Sequence, residues 1–136
     1  MTNNLHIIIQ ARMTSTRLPG KVLLPLCEKT VLEVLIERLK KYKKNIIIAT
    51  TNDGSEEPIL EICRKENINY FKGSTNNVLK RYYFAAKKFN AKRTDLIVRI
   101  TSDCPLIDVE LLDKCINMIN NKDFDYVSNR LNRTLP

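Results

Sequence analysis

Three short segments rich in β-branched apolar residues alternate with amphipathic segments, and this alternation constrains the fold more than any other feature of the chain. They are residues 5–10 (LHIIIQ), 45–51 (NIIIATT) and 96–101 (LIVRIT). Runs this short and this apolar are typical of strands that are covered on both faces of a parallel sheet. A further short strand is predicted over residues 69–72, and a last one over residues 125–128.

The segments between these strands predict helices. The first spans residues 31–42, where four apolar side chains recur at helical spacing: Leu32, Leu35, Ile36 and Leu39. The second is capped by Ser55 and runs to residue 66, with Pro58 in its first turn, where proline is tolerated. The third covers residues 77–89 and turns one face inward, formed by Val78, Tyr82, Ala85, Ala86 and Phe89. The fourth begins near Val109, is capped by Asp108, and directs four side chains toward the core: Leu112, Cys115, Ile116 and Ile119.

Strands that alternate with helices form a mostly parallel sheet with helices on both faces, linked by right-handed crossovers. The pattern therefore predicts a three-layer, Rossmann-like α/β fold, in a single domain over residues 1–136, because this length suffices for one hydrophobic core. Sheets of this kind bind ligands outside the carboxyl ends of their strands. We therefore expect the functional residues in the polar segments after the strands: 10–21, 52–54, 73–77 and 102–103.

Composition argues against several other classes of protein. No apolar run approaches the roughly 18 residues that cross a membrane, and the N-terminus lacks the basic region of a signal peptide, so a cytoplasmic location is the default expectation. The four cysteines, at positions 27, 63, 104 and 115, lack the spacing of a zinc site and are expected to be mostly buried free thiols. The single histidine, His6, is interpreted as a strand residue rather than a catalyst.

The chain is basic, with 23 Lys and Arg against 15 Asp and Glu and a net charge of +8. Such a balance is compatible with nucleic acid, an anionic surface or a phosphorylated ligand. The cations concentrate in one loop and at helix ends, without the aromatic interleaving of a single-strand binder. We therefore expect no nucleic acid and no membrane as partners.

The loop after the first strand, QARMTSTRLPGK over residues 10–21, is the strongest candidate site. It holds three cations, Arg12, Arg17 and Lys21, together with hydroxyls that include Ser15. Guanidinium groups bind phosphate oxygens through paired hydrogen bonds, so the loop is typical of a triphosphate site. It lacks the glycines of a Walker P-loop or a dinucleotide fingerprint. The alternative is a basic surface loop without a ligand.

Two further segments carry candidate residues. Asp103 follows the strand at residues 96–101 and is a candidate ligand for Mg²⁺, which binds one or two carboxylates together with phosphate oxygens. The alternative is that Asp103 caps a turn before Pro105, while Asp108 is interpreted as a structural helix cap. Arg81, one turn inside the third helix, either points back to the ligand or is a solvated helix residue.

These segments, in this order, resemble the cytidylyltransferases that make CMP-activated sugars, and most closely the spore-coat polysaccharide branch beside the acylneuraminate and KDO enzymes. The loop QARMTSTRLPGK carries most of this resemblance, and TSDCPLID and YVSN are characteristic of the spore-coat branch. The resemblance implies a nucleotide-diphospho-sugar transferase fold. It also implies transfer of CMP from CTP to a sugar or sugar acid, with release of pyrophosphate, in surface polysaccharide or glycan biosynthesis.

The resemblance also implies residue roles. Arg12, Arg17 and Lys21 match the triphosphate-binding residues, and Asp103 matches the magnesium-binding aspartate. Arg81 matches an arginine near the nucleotide, the backbone of Gln10 and Ala11 lies close to it, and Ser15 belongs to the same binding loop. The expected catalytic residues are Arg12, Lys21 and Asp103, the expected cofactor is Mg²⁺, and the expected ligands are CTP and a small sugar or sugar acid.

The chain departs from the family in composition and in length. Three acidic positions of the segment resembling GSxDDVLDR are Asn76, Asn77 and Lys80 here. Related proteins continue into strands that carry the acceptor-sugar site and a second acidic metal position, so the sequence is expected to be the N-terminal part of the full fold. A catalytically incomplete nucleotide-binding module is the second hypothesis, and the sequence leaves open whether the chain forms a homodimer.

Overall fold

The computed structural model describes residues 4–121 and 124–129, and contacts divide the chain into two compact units, Met1–Leu106 and Ile107–Pro136. The strands of the first unit are β1 (Leu5–Gln10), β2 (Pro25–Leu26), β3 (Lys29–Thr30), β4 (Ile46–Thr51), β5 (Asn69–Gly73) and β6 (Leu96–Thr101). Its helices are α1 (Val31–Arg38), α2 (Glu57–Lys65) and α3 (Val78–Lys88), with 3₁₀ turns at Lys21–Leu23 and Lys40–Asn45. The second unit contains α4 (Val109–Asn121). Within the described ranges, no helix has the length and apolar character that a membrane span needs.

The main sheet is parallel, as predicted, with the strand order β5-β4-β1-β6. All six residues of β4 are buried, which confirms a strand covered on both faces. The prediction that both faces are covered was wrong for β6, where Ile100 is the one buried residue. The physical reason is that β6 lies at the edge of the sheet, whereas β4 lies inside it.

Both faces of this sheet are buried. On one face, α3 shares a buried cluster with the strands, made of Ile8, Ile47, Ala49, Tyr82 and Ala85, and Val78, Ala86 and Phe89 pack against it as predicted. Side chains at alternate strand positions point to the other face, and they are buried as well: Ile7, Ile9, Ile46 and Ile48. Helices α1 and α2 also contribute buried apolar side chains to the core, among them Leu32, Leu35 and Ile59. The three-layer α/β prediction is confirmed.

Helix α1 has the predicted apolar face but is shorter than predicted. It begins after Thr30, whose hydroxyl accepts a hydrogen bond from the Glu33 amide at 3.2 Å while the Glu33 carboxylate accepts one from the Thr30 amide at 2.8 Å. This reciprocal cap satisfies two amides that have no partner inside the helix. The helix ends at Arg38 rather than at residue 42 because the lysine-rich segment Lys40–Asn45 tightens into a 3₁₀ turn.

Helix α2 is not capped by Ser55, as the sequence suggested. The Asp53 carboxylate takes up both Ser55 donors, with its Oδ1 atom 3.0 Å from the Ser55 amide and 2.5 Å from the Ser55 hydroxyl. The helix therefore begins one residue later than a Ser55 cap would place it, after Glu56, and Pro58 lies in its first turn as predicted. The Glu56 carboxylate turns back and accepts a hydrogen bond from the Gly54 amide at 2.8 Å.

In the second unit, the predicted cap of α4 is confirmed, because Asp108 Oδ1 accepts a hydrogen bond from the Leu111 amide at 3.1 Å. Of the four apolar side chains expected to face inward, only Leu112 is buried. The strand predicted over residues 125–128 was wrong, since these residues have no strand structure and Tyr126 is 77% exposed. A strand forms only where its backbone pairs with another strand, and among the described residues this segment has no such pairing.

The four cysteines are free, as predicted, but only Cys63 is buried. Cys27 is exposed because it occupies the turn between β2 and β3 with a φ of 58°, and Cys104 is exposed in the segment after β6. His6 is a strand residue, as predicted. Its Nε2 atom lies 3.2 Å from a carboxylate oxygen of Asp95, near the start of β1 and β6 and away from their carboxyl ends.

Candidate functional site

The candidate loop leaves β1 at a point where the chain order of the sheet reverses. The next strand of the sheet along the chain, β4, pairs on one side of β1, and β6 pairs on the other. The Ala11 amide donates to the Ala49 carbonyl of β4 at 3.2 Å, and the Ser102 amide donates to the Gln10 carbonyl at 3.1 Å. In open α/β sheets, ligands bind at such a reversal, outside the carboxyl ends of the strands.

Gln10 and Ala11 hold the start of the loop in the sheet. The Gln10 carbonyl and the Ala11 amide are engaged by neighbouring strands, and Ala11 is completely buried. These two backbone groups therefore anchor the loop rather than point outward from it.

Beyond Ala11 the loop closes on itself. The Met13 carbonyl accepts hydrogen bonds from the Ser15 amide at 3.1 Å and from the Gly20 amide at 2.8 Å. Gly20 has a φ of 68°, a left-handed conformation that favours glycine and that returns the chain toward the sheet. Arg12 and Ser15 are half-buried, whereas Arg17 is exposed.

The loop closure brings Lys21 to Asp103. Lys21 Nζ lies 2.7 Å from Asp103 Oδ2, although 82 positions separate the two residues in sequence. Both side chains remain partly accessible, at 30% for Lys21 and 45% for Asp103. The hydrogen bond from Lys21, with a smaller contribution from the Thr101 hydroxyl, lowers the pKa of Asp103 below its ordinary value. Asp103 is therefore an ionised carboxylate beside the cationic loop.

Arg81 is not the solvated helix residue that was one of its two interpretations. It is 1% exposed, and its guanidinium donates to the Ser74 carbonyl at 2.9 Å and to the Thr75 carbonyl at 3.1 Å. Its Nη1 atom is buried and makes no hydrogen bond to any residue of the described part of the chain. Burial, and then the nearby positive charge of Arg12, lower the pKa of Arg81. Arg81 thus lies close enough to Arg12 to feel its charge, and it braces the segment after β5.

Gly73 makes room for this arginine. A Cβ atom at Gly73 would lie 2.5 Å from Cε1 of Phe71 and 3.1 Å from Cγ of Arg81. Carbon atoms pack at about 3.5–4.0 Å. Gly73 therefore allows Arg81 to cross β5 and reach the carbonyls of Ser74 and Thr75.

Asp53 is a site residue that was not singled out from the sequence, although the segment 52–54 was expected to carry function. Besides its two bonds to Ser55, its Oδ2 atom lies 3.4 Å from the Thr14 hydroxyl. The Ser55 hydroxyl and amide lower the pKa of Asp53. Its position after β4 and its acceptor-only side chain were the available signals. What the sequence did not contain was its contact with the loop after β1.

Comparison with known proteins identifies the family of this arrangement. A family model described as cytidylyltransferase matches residues 6–134. The chain belongs to the cytidylyltransferase family. A solved structure of a cytidylyltransferase from Leptospira borgpetersenii is 42% identical and superposes with a TM-score of 0.81, over 90% of this chain and 51% of its own.

Two curated relatives support this cytidylyltransferase assignment. The chain is 38% identical over 135 residues to the spore coat polysaccharide biosynthesis protein SpsF of Bacillus subtilis, covering 93% of this chain and 55% of SpsF. It is 31% identical over 126 residues to the 3-deoxy-manno-octulosonate cytidylyltransferase of Francisella philomiragia, covering 92% of this chain and 50% of that enzyme. The chain therefore spans about half the length of the curated relatives that it matches.

The donor set of this cytidylyltransferase chain suits a metal ion that arrives together with phosphate groups. No group of three or more His, Cys, Asp or Glu side chains in residues 4–121 and 124–129 converges on one point. Asp103 is a single ionised, accessible carboxylate next to the cationic loop of residues 10–21. Mg²⁺ is usually held by one or two carboxylates, substrate phosphates and water. Asp103 fits that mode of binding and does not by itself form a metal cage.

Proposed function

We propose that this chain is a Mg²⁺-dependent cytidylyltransferase that transfers CMP from CTP to a sugar or sugar acid, with release of pyrophosphate. The observation that carries the proposal is the closure of the loop 10–21, which places Lys21 2.7 Å from Asp103 at the reversal point of the sheet. The names of the relatives, one in spore coat polysaccharide biosynthesis and one acting on 3-deoxy-manno-octulosonate, support a pathway in surface polysaccharide or glycan biosynthesis.

In the proposed reaction, a hydroxyl oxygen of the acceptor attacks the α-phosphorus of CTP in line. The bond from that phosphorus to the bridging oxygen of pyrophosphate breaks, pyrophosphate leaves with the electron pair, and the hydroxyl proton passes to solvent. Catalysis of such a transfer consists mainly of positioning and charge stabilisation. When bound, Mg²⁺ supplies neutralisation of the phosphate charge beside Asp103.

The residues of the loop divide this work by position. Arg12 and Ser15 are half-buried and Arg17 is exposed, so we assign the first two to the more deeply placed phosphates and Arg17 to the outermost one. Lys21 and Arg12 stabilise the charge that moves to the leaving pyrophosphate. Charge-assisted hydrogen bonds contribute about 1.5–3 kcal/mol each, so three cations provide useful affinity for a ligand with about four negative charges. Gln10 and Ala11 hold this loop in register with β4 and β6.

Arg81 has a positioning role next to this loop. Because its guanidinium is already bonded to two carbonyls of the segment after β5, it shapes the wall next to Arg12. Its Nη1 atom has no hydrogen-bond partner among the described residues, so it is the donor of Arg81 that we assign to the nucleotide.

Pyrophosphate release tests the proposal directly. The protein is mixed with CTP, Mg²⁺ and a panel of sugars and sugar acids, and calorimetry of CTP binding is run in parallel. The expected result is saturable CTP binding and acceptor-dependent pyrophosphate release that Asp103→Asn abolishes while the circular dichroism spectrum is unchanged. The absence of any CTP binding would contradict the proposal.

A second candidate function is a nucleotide-binding module that does not turn over alone. The observation that favours it is that the chain matches only about half the length of its curated relatives. This module predicts the same CTP binding with no pyrophosphate release for any acceptor. The same two assays therefore separate the two functions.

A further inference from the structure

The ion pair between Lys21 and Asp103 has a consequence for the order in which ligands bind. The two side chains come from the segments that follow β1 and β6, on opposite sides of the reversal point. The Lys21 ammonium lies 2.7 Å from Oδ2 of Asp103, which is one of the two oxygens that this carboxylate offers to a cation. In the nucleotide-free chain, Asp103 is therefore already bound to a cation from the protein itself.

An ammonium group and a divalent metal ion compete for the same carboxylate. A metal ion that coordinates Asp103 must displace Lys21 or remain next to its positive charge, and like charges at this spacing repel even in water. A triphosphate changes the balance, because its oxygens attract the Lys21 ammonium more strongly than one partly exposed carboxylate does. Lys21 is partly accessible at 30%, and lysine side chains are flexible, so the exchange requires no movement of the backbone.

We propose that Lys21 is a placeholder cation, which occupies Asp103 in the nucleotide-free chain and leaves it for the triphosphate, so that a divalent metal ion binds only together with the nucleotide. This inference rests on the proposed function and adds the regulation of its metal site. It makes Lys21 responsible for two properties: affinity for the triphosphate, and exclusion of the metal ion in its absence.

Binding of Mn²⁺, measured by electron paramagnetic resonance without any turnover, tests the proposal. The parent protein is titrated with Mn²⁺ alone and with a saturating amount of CTP, beside Lys21→Met and Asp103→Asn. Lys29→Met is the matched control, because Lys29 Nζ also lies 2.7 Å from a carboxylate oxygen, of the exposed Glu37 outside the candidate site. Circular dichroism confirms folding, and Lys21→Gln replaces Lys21→Met if the latter is not folded.

The parent and Lys29→Met are expected to bind Mn²⁺ weakly without nucleotide and tightly only with CTP. Lys21→Met is expected to bind Mn²⁺ without nucleotide, about tenfold more tightly than the parent, because removal of one positive charge relieves the repulsion. Asp103→Asn is expected to lose the CTP-dependent binding.

Two results would overturn the placeholder role while leaving the proposed function intact. One is nucleotide-free Mn²⁺ affinity that is the same in the parent and in Lys21→Met. The other is an equal gain of affinity in Lys29→Met, which would assign the effect to net charge. Absence of CTP binding to the parent would instead contradict the proposed function.

Discussion

Replacement of Gly73 by alanine tests whether the packing of Phe71 and Arg81 requires a residue without a side chain at this position. The added Cβ would lie 2.5 Å from Cε1 of Phe71 and 3.1 Å from Cγ of Arg81, well inside normal carbon contact. Overpacking of this kind costs about 1–3 kcal/mol. We expect about 2 kcal/mol for Gly73→Ala, because the overlap with the half-buried Phe71 ring at 2.5 Å is the larger one, and the contact with Arg81 at 3.1 Å adds less. In a domain of this size, such a loss lowers Tm by roughly 5–10 °C.

A double-mutant cycle with Phe71→Leu identifies the cause of this loss. Leucine lacks the ring atom that the new Cβ would meet, so Gly73→Ala is expected to cost less than about 1 kcal/mol in the Phe71→Leu background. Gly54→Ala is the matched control. A Cβ there meets no atom within 4 Å, and its cost arises from a φ of +91°, so Phe71→Leu is not expected to alter it. Urea unfolding gives the four free energies.

The result that refutes this reasoning is additivity. If Gly73→Ala destabilises the protein equally with phenylalanine and with leucine at position 71, the contact with the ring is not the cause. A second measurement follows CTP affinity, which is expected to fall in Gly73→Ala because the added Cβ displaces Arg81.

Three further predictions concern single interactions. Tyr82→Phe removes a buried hydrogen bond of 3.0 Å to a carbonyl of β6 and is expected to cost about 1 kcal/mol in urea unfolding, whereas Tyr83→Phe, on an exposed ring, leaves stability unchanged. The pKa of Glu33 is lowered to about 2 by a lysine of α2 and by the cap of α1, so the stabilising effect of its carboxylate is present above about pH 4.5 and lost as the pH falls toward 2. Glu33→Gln is expected to be less stable than the parent by about 1–2 kcal/mol at neutral pH. The two stabilities should converge between about pH 4.5 and pH 2. Arg17→Ala is expected to weaken CTP binding about tenfold in calorimetry, and an effect no larger than that of Arg93→Ala would remove Arg17 from the site.

The central part of the fold was accessible from the sequence because its signals are local. β1 and β6 have their predicted bounds, and β4 begins one residue later than predicted. Their β-branched runs identify strands without knowledge of any partner. The errors fall where the outcome depends on neighbours that are distant in sequence. β6 is half exposed because of its place at the sheet edge, and the segment 125–128 has strand-like residues without a strand.

Helix ends were harder to predict for a related reason. Ser55 is a good cap by residue type, but the Asp53 carboxylate two positions earlier takes up its hydroxyl and amide. Two side chains with similar local preferences competed, and the geometry of the turn after β4 decided between them.

The sequence by itself determined the four strands of the main sheet and the four α-helices, the parallel direction of that sheet, and the position of the cations of residues 10–21 after the first strand. Hydrophobic periodicity and the residues after each strand contain that information. Only the tertiary structure decided that Lys21 meets Asp103, that Arg81 is buried beneath the segment after β5, and that Asp53 contacts the first loop. These contacts join residues from different strand ends, and their formation depends on the order of strands in the sheet, which local sequence patterns do not specify.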